Sequence, residues 1–156
     1  GVVRHQQDVG AQRDVAAARK VDVVMERRSG RHAPITLAQD SRLAQVFSNL
    51  VDNAVSFSPE GGTVRVAVAT TESEVSVTVS DEGPGIRGDI SRIFQRFYTD
   101  RPEGEHFGDH SGLGLSISRQ IIEALKGTIS AENRTDRSGA SFRVTLRRAP
   151  DVRPRR

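Results

Sequence analysis

The sequence predicts an α+β fold, a two-layer arrangement in which about three helices pack on one face of a mixed, mostly antiparallel sheet. Two pairs of segments with alternating apolar and polar residues are each joined by a short polar turn, which is the pattern of antiparallel hairpins. Around them lie stretches in which apolar residues recur at the three-and-four spacing of a helix with one buried face. Strands and helices mixed in this way, with hairpins dominating, indicate a layered α+β domain.

Length and composition limit the class of protein. The 156 residues are one domain's worth of chain, and 35% of them are hydrophobic. There is no cysteine, which excludes disulfides and thiolate metal sites. No stretch approaches the ~20 apolar residues of a membrane span, and no signal-peptide pattern opens the chain. The net charge of +3 comes without a basic face interleaved with aromatics, so we expect no nucleic-acid partner.

The chain divides into three parts by composition. We expect residues 1–12 to be a flexible remnant, residues 13–148 to form the folded domain, and the arginine-rich residues 149–156 to be a flexible basic tail. The first part of the domain is predicted to contain, in order, a helix over 13–20, a strand over 21–28 and an edge strand over 33–38.

The central helix is predicted to begin at Arg42, capped by Asp40 or Ser41, and to end before Pro59. Asn49 and Asn53 are four positions apart and share one face of it. Asparagine is a poor helix former, so two of them in mid-helix suggest a ligand, and a carboxamide oxygen suits Mg²⁺ shared with nucleotide phosphates. The alternative is that they are two polar residues on a solvated face.

The remaining elements alternate between hairpins and a helix. Residues 63–70 and 74–80 form the first predicted hairpin. Residues 112–125 are helical by pattern, and residues 127–133 and 140–148, separated by a Thr-Asp-Arg-Ser-Gly turn, form the second hairpin.

Two glycine clusters lie at the ends of these elements. DEGPGI, residues 81–86, places a carboxylate at a strand end before glycines that let a backbone approach a ligand, and such a carboxylate can accept a hydrogen bond from an adenine amino group. GLGL, residues 112–115, precedes a helix whose N-terminal amides can face phosphate oxygens. The charged, glycine-rich residues 99–111 between them have the composition of a mobile lid. The alternatives are an ordinary turn and a loop entering a packed helix.

Four motifs in this order resemble the ATP-binding catalytic domain of bacterial sensor histidine kinases, in the GHKL superfamily shared with DNA gyrase, Hsp90 and MutL. QVFSNLVDNAVSFSPEGG resembles the asparagine box, DEGPGI the first glycine box, RIFQRFY the phenylalanine box and GLGLSIS the second glycine box. The resemblance covers roughly residues 21–146 and implies the Bergerat fold. NAVSFSPEGG and FQRFYTDRP further resemble the acid- or envelope-sensing kinases of alphaproteobacteria.

The resemblance implies a role for particular residues at the base of a bound nucleotide. Asp81 matches the aspartate that reads the adenine amino group, and Gly83 and Gly85 match the glycines beneath the base. Ile86 is expected to pack on the base, and Phe57 stands where the family often places an aromatic against it.

A second set matches the family's phosphate end. Asn53 matches the Mg²⁺-binding asparagine and Asn49 the one near the phosphates, and these two with Arg96 are the expected catalytic residues. Tyr98, like Arg96, matches a polar contact near the phosphates, while Phe94 and Phe97 either anchor the lid or simply pack in the core. Backbone amides at the lid exit are expected from Gly112, Leu113, Gly114 and Leu115.

The implied function is that of an ATP-dependent protein-histidine kinase fragment. It would bind Mg²⁺ and ATP and transfer the γ-phosphate to a histidine on its own dimerisation domain, for relay to a response regulator. The acceptor helix hairpin is not matched in this sequence. The fragment is expected to be cytoplasmic, as part of an inner-membrane sensor. One departure is Ser56, where the family usually has Lys or Arg, so a phosphate-neutralising cation is missing there.

Two other functions share this fold. A serine kinase of the anti-sigma-factor type needs no helix hairpin, but it tends to have an acidic general base where this chain has Asn49. A gyrase-like ATPase is disfavoured for the same reason. A non-catalytic module that binds nucleotide and signals through its lid is compatible with Ser56.

Overall fold

The structure, a computed structural model, describes residues 20–27, 41–95 and 114–147. These residues form a five-stranded sheet and two α-helices. The elements in chain order are β1 (Asp22–Arg27), α1 (Ser41–Phe57), β2 (Thr63–Thr70), β3 (Glu74–Ser80), a 3₁₀ helix (Ile90–Arg92), α2 (Gly114–Ala124), β4 (Thr128–Asn133) and β5 (Ala140–Arg147).

The sheet has the strand order β1-β2-β3-β5-β4. β1 is parallel to β2, while β2 with β3, β3 with β5, and β4 with β5 are antiparallel. Both predicted hairpins are therefore confirmed, and β2 and β3 have the predicted bounds. The mixed, mostly antiparallel sheet of the predicted α+β fold is also confirmed.

One face of the sheet carries the core. Alternate side chains of β3 and β5 are buried, which follows from the period-two alternation of a strand with one covered face. The helices cover this face with their own apolar stripes. Fully buried side chains that join helix and sheet include Leu43, Val46, Leu50, Val55, Ile122, Val64, Val79 and Val144.

Helix α1 begins and ends close to the predicted positions. It starts at Ser41, one residue before the predicted start and at one of the two predicted caps. It ends at Phe57, because Pro59 cannot continue it. The turn that follows is tied to the start of β1, since the N–H of Asp22 donates to the carbonyl of Gly62 at 3.0 Å and the N–H of Gly61 donates to the carbonyl of Lys20 at 2.8 Å. The C-terminal end of α1 therefore lies near the first residues of β1 and β2.

Several predicted elements have a more limited outcome. The strand over 21–28 is confirmed as β1, and the helix over 112–125 is confirmed from Gly114 to Ala124. Of the helix over 13–20 only Lys20 is described, and the edge strand over 33–38 lies outside the described residues. The flexible remnant and tail stay predictions. Within the described ranges, no helix is long and apolar enough to cross a membrane.

The phenylalanine box contributes to the core at its described end. Phe94 is 9% exposed, and its ring packs edge-on against that of Phe142 in β5, with 6.4 Å between ring centroids. The core-packing alternative is therefore confirmed as a role of Phe94. Phe97 lies outside the described residues.

Candidate functional site

The loop that follows β3, residues 81–86 and here named the Asp81 loop, carries a buried carboxylate. Asp81 is 2% exposed. Its Oδ1 accepts hydrogen bonds from the backbone N–H groups of Gly83, at 2.9 Å, and Ala140, at 3.1 Å. Its Oδ2 receives no hydrogen bond from any described residue. One oxygen is therefore fixed by the fold, and the other is a buried acceptor without a donor among the described residues.

Burial dominates the electrostatics of this carboxylate. Desolvation raises the pKa of Asp81 above its ordinary value of 3.8, although the N–H groups of Gly83 and Ala140 and the charge of Arg134 act in the opposite direction. A buried acceptor without a donor costs about 1–3 kcal/mol. A ligand with a polarised N–H group would remove that cost, so the arrangement suits a donor such as an aromatic amino group.

The Asp81 loop lies against the C-terminal end of α1. A Cβ atom added to Gly83 would lie 2.6 Å from the carbonyl oxygen of Phe57, so only glycine permits this approach. The N–H of Glu82 donates to the buried hydroxyl of Ser58 at 3.3 Å. Ile86, half-buried, packs against the core. Phe57, Asp81, Gly83 and Ile86 are therefore brought into one region.

The two asparagines of α1 lie on the same stripe of the helix as Phe57. Asn49, Asn53 and Phe57 follow one another at intervals of four residues, which extends the stripe over about 12 Å of helix axis. Both asparagines are half-buried. Neither side-chain amide oxygen receives a hydrogen bond from a described residue. Both amide oxygens are therefore available to a polar ligand along α1, away from the Phe57 end, as far as the described residues are concerned.

The start of α2 adjoins Asn49. The Nδ2 of Asn49 donates to the fully buried Ser118 hydroxyl at 3.4 Å, and a Cβ atom added to Gly114 would lie 4.0 Å from the Cγ of Asn49. Gly114 and Leu115 begin this helix of 11 residues, so their amides have no intrahelical partner. The positive end of the helix dipole favours an anion there.

The predicted site residues therefore fall into two groups joined by α1. Phe57 and the residues of the Asp81 loop lie at its C-terminal end, while Asn49, Gly114 and Leu115 meet further back along it. Asn53 lies between the groups by its position in the helix. Arg96, Tyr98, Gly112 and Leu113 lie outside the described residues, and their roles stay predictions.

Contacts from the turn between β4 and β5 were missed by the sequence prediction. Asn133, Arg134, Arg137 and Ser138 all bond to the Asp81 loop. The sequence predicted this segment only as the connection within a hairpin. No local signal links it to a loop some 50 positions away, because the order of strands in the sheet creates that proximity.

Comparisons with known proteins identify the family. Residues 38–150 match the family described as histidine kinase-, DNA gyrase B- and HSP90-like ATPase. The chain is 47% identical over 137 residues to the sensor protein ChvG of Rhizobium meliloti (strain 1021), covering 83% of this chain and 24% of that protein. It is 47% identical over 133 residues to ChvG of Agrobacterium fabrum (strain C58), covering 81% of this chain and 22% of that protein. These relatives agree with the expected alphaproteobacterial resemblance.

Solved structures give the same result. The catalytic domain of histidine kinase ThkA superposes with a TM-score of 0.71 at 28% identity, covering 91% of this chain and 88% of that one. Full-length ShkA in complex with AMPPNP superposes with a TM-score of 0.65 at 25% identity, covering 94% of this chain and 31% of that one. The chain therefore belongs to the histidine kinase-, DNA gyrase B- and HSP90-like ATPase family, and it is homologous to the catalytic domains of sensor histidine kinases.

Proposed function

We propose that this chain binds ATP with Mg²⁺ and, as the catalytic domain of a longer sensor kinase, presents the γ-phosphate to a histidine on a separate phosphoacceptor domain. The observation that carries the proposal is the buried carboxylate of Asp81, with one oxygen held by two backbone N–H groups and the other without a donor among the described residues. Family membership supports the same ligand.

The Asp81 end of the site fits adenine. Oδ2 of Asp81 would accept a hydrogen bond from the 6-amino group, which guanine lacks at that position. Gly83 and Gly85 let the loop lie directly against Phe57 and Asn133, which gives the loop the shape proposed to receive a planar base, and Gly85 adopts a φ of +86°. Phe57 and Ile86, both half-buried, offer apolar surface to the base.

The other end fits a polyphosphate. The amide oxygen of Asn53, which accepts no hydrogen bond from the described residues, is the proposed Mg²⁺ ligand. The N-terminal amides of α2 at Gly114 and Leu115, beside Asn49, are the proposed phosphate donors. When bound, Mg²⁺ would neutralise negative charge on the phosphate oxygens. Arg96, Tyr98, Gly112 and Leu113 are proposed to add contacts from outside the described residues.

Ser56 does not supply the positive charge that the resemblance to sensor histidine kinases leads us to expect at this position. It is 7% exposed, and its hydroxyl donates to the carbonyl of Asn53 at 2.8 Å, within the same helix. This hydroxyl carries no charge and cannot take the place of a cationic side chain. Neutralisation of the phosphates is proposed to rest on Mg²⁺, on helix α2 and on Arg96.

The remainder of the proposal concerns the longer protein. The chain spans about a quarter of the length of the ChvG relatives, which are named sensor proteins. By analogy we propose that the whole protein is a membrane sensor with this domain in the cytoplasm, and that the phosphohistidine donates to a response regulator. The complex of ShkA with AMPPNP supports the nucleotide part of the proposal.

The test is calorimetric titration of the chain with ADP and with AMPPNP, each with and without Mg²⁺. We expect measurable binding of both nucleotides, with AMPPNP bound more tightly when Mg²⁺ is present. The absence of any binding at millimolar nucleotide would overturn the proposal and leave a family member that has lost its ligand.

We expect Asn53→Ala to remove the contribution of Mg²⁺ selectively. The gain in AMPPNP affinity on adding Mg²⁺ should shrink by about tenfold, the size expected for one contact to a charged group. ADP affinity without Mg²⁺ should change by less than about twofold, because Asn53 is proposed to act through Mg²⁺. The variant also keeps the backbone carbonyl of residue 53, which accepts the hydrogen bond from Ser56. Gln45→Ala, an exposed change two turns earlier in α1, is the matched control. An undiminished Mg²⁺ effect in Asn53→Ala contradicts the assignment.

A further inference from the structure

We infer that the turn joining β4 to β5, residues 133–139 and here named the β4–β5 turn, positions the Asp81 loop for adenine, and that Asn133 is its principal positioning residue. The inference rests on the proposed nucleotide function and extends it to a segment outside the four motifs. It concerns the selectivity of the site for the 6-amino group.

Asn133 holds one residue of the Asp81 loop at both of its backbone groups. The Oδ1 of Asn133 accepts from the N–H of Ile86 at 2.6 Å, and its Nδ2 donates to the carbonyl of Ile86 at 3.1 Å. The side-chain amide therefore pairs with Ile86 as a neighbouring strand would. A Cβ atom added to Gly85 would lie 2.8 Å from the same Oδ1, so glycine at that position makes the pairing possible.

Arg134 holds the first residue of the loop. Its Nη1 donates to the carbonyl of Asp81 at 3.0 Å, and only 9% of its side chain is exposed. Nε and Nη2 bond to the two carboxylate oxygens of Asp136 at 3.0 and 2.8 Å, which fixes the plane of the guanidinium group. The charge on this nearly buried side chain is thus paired, and its third nitrogen, Nη1, donates to the Asp81 loop.

Two further contacts act on the middle of the loop. The hydroxyl of Ser138 donates to the carbonyl of Gly83 at 2.6 Å. Arg137 forms an ion pair with Glu82, whose other carboxylate oxygen accepts from the N–H of Thr63 at 2.8 Å. Four of the six residues in the Asp81 loop are therefore bonded to the β4–β5 turn.

The β4–β5 turn does not need these contacts for its own closure. The N–H of Arg134 donates to the carbonyl of Gly139 at 2.8 Å, and the strands on either side are paired from Asn133 with Ala140 onward. The Asp81 loop, in contrast, has no regular secondary structure and contains two glycines. The contacts thus order the loop more than they order the turn.

Ordering the loop in advance lowers the cost of binding. If a loop becomes ordered only when the ligand binds, the loss of conformational entropy lowers the affinity. Because Asp81 contacts the amino group and Ile86 is placed to pack on the base, the relative position of these two residues decides whether the amino group meets Oδ2. Loss of the Asn133 contact should therefore lower the affinity for the adenine nucleotide and also reduce the selectivity for the 6-amino group.

The experiment compares ADP with purine riboside 5′-diphosphate, which lacks the 6-amino group, by calorimetric competition. For Asn133→Ala we expect about a tenfold loss of ADP affinity, the effect of ordering one or two backbone residues on binding. The preference for ADP over the analogue should fall by about threefold, since part of the loss falls on the Asp81 contact. Glu132→Ala, an exposed change one residue earlier in β4, should leave both quantities unchanged.

Each outcome decides one point. A wild-type chain that binds neither nucleotide refutes the proposed function itself. If the wild type binds and Asn133→Ala keeps the preference for ADP, the inference is wrong, because a general loss of stability would weaken both ligands equally. Should Asn133→Ala fail to fold by circular dichroism, Ser138→Ala decides instead. This variant removes only the hydroxyl of an exposed residue. A reduced preference for ADP over the analogue supports the inference, and an unchanged preference refutes it.

Discussion

Replacing Asp81 by asparagine is expected to lower the affinity for ADP by about 100-fold while the chain stays folded. The prediction follows from the different hydrogen bonding of the two carboxylate oxygens. Oδ1 accepts from the N–H groups of Gly83 and Ala140, and Oδ2 is the oxygen proposed to accept from the amino group of adenine. Asparagine has the same shape but only one oxygen.

That single oxygen must remain with the two backbone donors. If the amide were turned the other way, its NH₂ group would face the N–H groups of Gly83 and Ala140 without an acceptor, which is costly in a buried place. The NH₂ group would therefore take the place of Oδ2, and in the proposed complex two donors would face each other, this group and the amino group of adenine. The variant loses an attractive contact and gains a repulsive one.

The measurement is calorimetric titration with ADP, accompanied by thermal unfolding. We expect the melting temperature of Asp81→Asn to be no lower than that of the wild type, because burial raises the pKa of Asp81 and so disfavours the charge that the substitution removes. The matched control is Asp89→Asn, which makes the same change at an exposed cap of the 3₁₀ helix. Wild-type affinity in Asp81→Asn would show that this carboxylate does not bind the base.

Replacing Gly139 by alanine is expected to lower the free energy of unfolding by about 3 kcal/mol. Two costs add at this position. Gly139 has a φ of +142°, which L residues rarely adopt, and an added Cβ atom would lie 2.1 Å from the carbonyl oxygen of Asp81. The carbonyl of Asp81 cannot move away freely, because it also accepts a hydrogen bond from Arg134.

Urea denaturation measures this effect, and Gly88→Ala is the control. Gly88 also has a positive φ, of +75°, but an added Cβ atom would meet nothing within 4 Å. Its substitution should cost about 1 kcal/mol, the strain of the backbone alone. The difference between the two variants isolates the collision between the β4–β5 turn and the Asp81 loop. An equal decrease in the free energy of unfolding in both variants would mean that the β4–β5 turn can shift to accommodate the added Cβ atom at no cost.

Local patterns were sufficient to predict most of the described elements. The alternation of valines predicted β2 and β3, and the three-and-four spacing predicted α1, because each pattern records which side of the element is buried. Pro59 and the adjacent glycines predicted the end of α1 for equally local reasons. The motifs in their order predicted the family, which the comparisons confirm.

The tertiary structure alone decided how the candidate site is assembled. The sheet order places β5 between β3 and β4, so the end of β4 lies beside a loop that is 47 residues distant in sequence. No pattern in the sequence specifies that order, because strand pairing depends on competition among all strands for the same neighbours. By itself the sequence determined most of the described helices and strands and the family, because local periodicity and the order of the motifs are both contained in it. Only the packed sheet decided that Asn133 and Arg134 hold Ile86 and Asp81, since those hydrogen bonds exist only where distant strands meet.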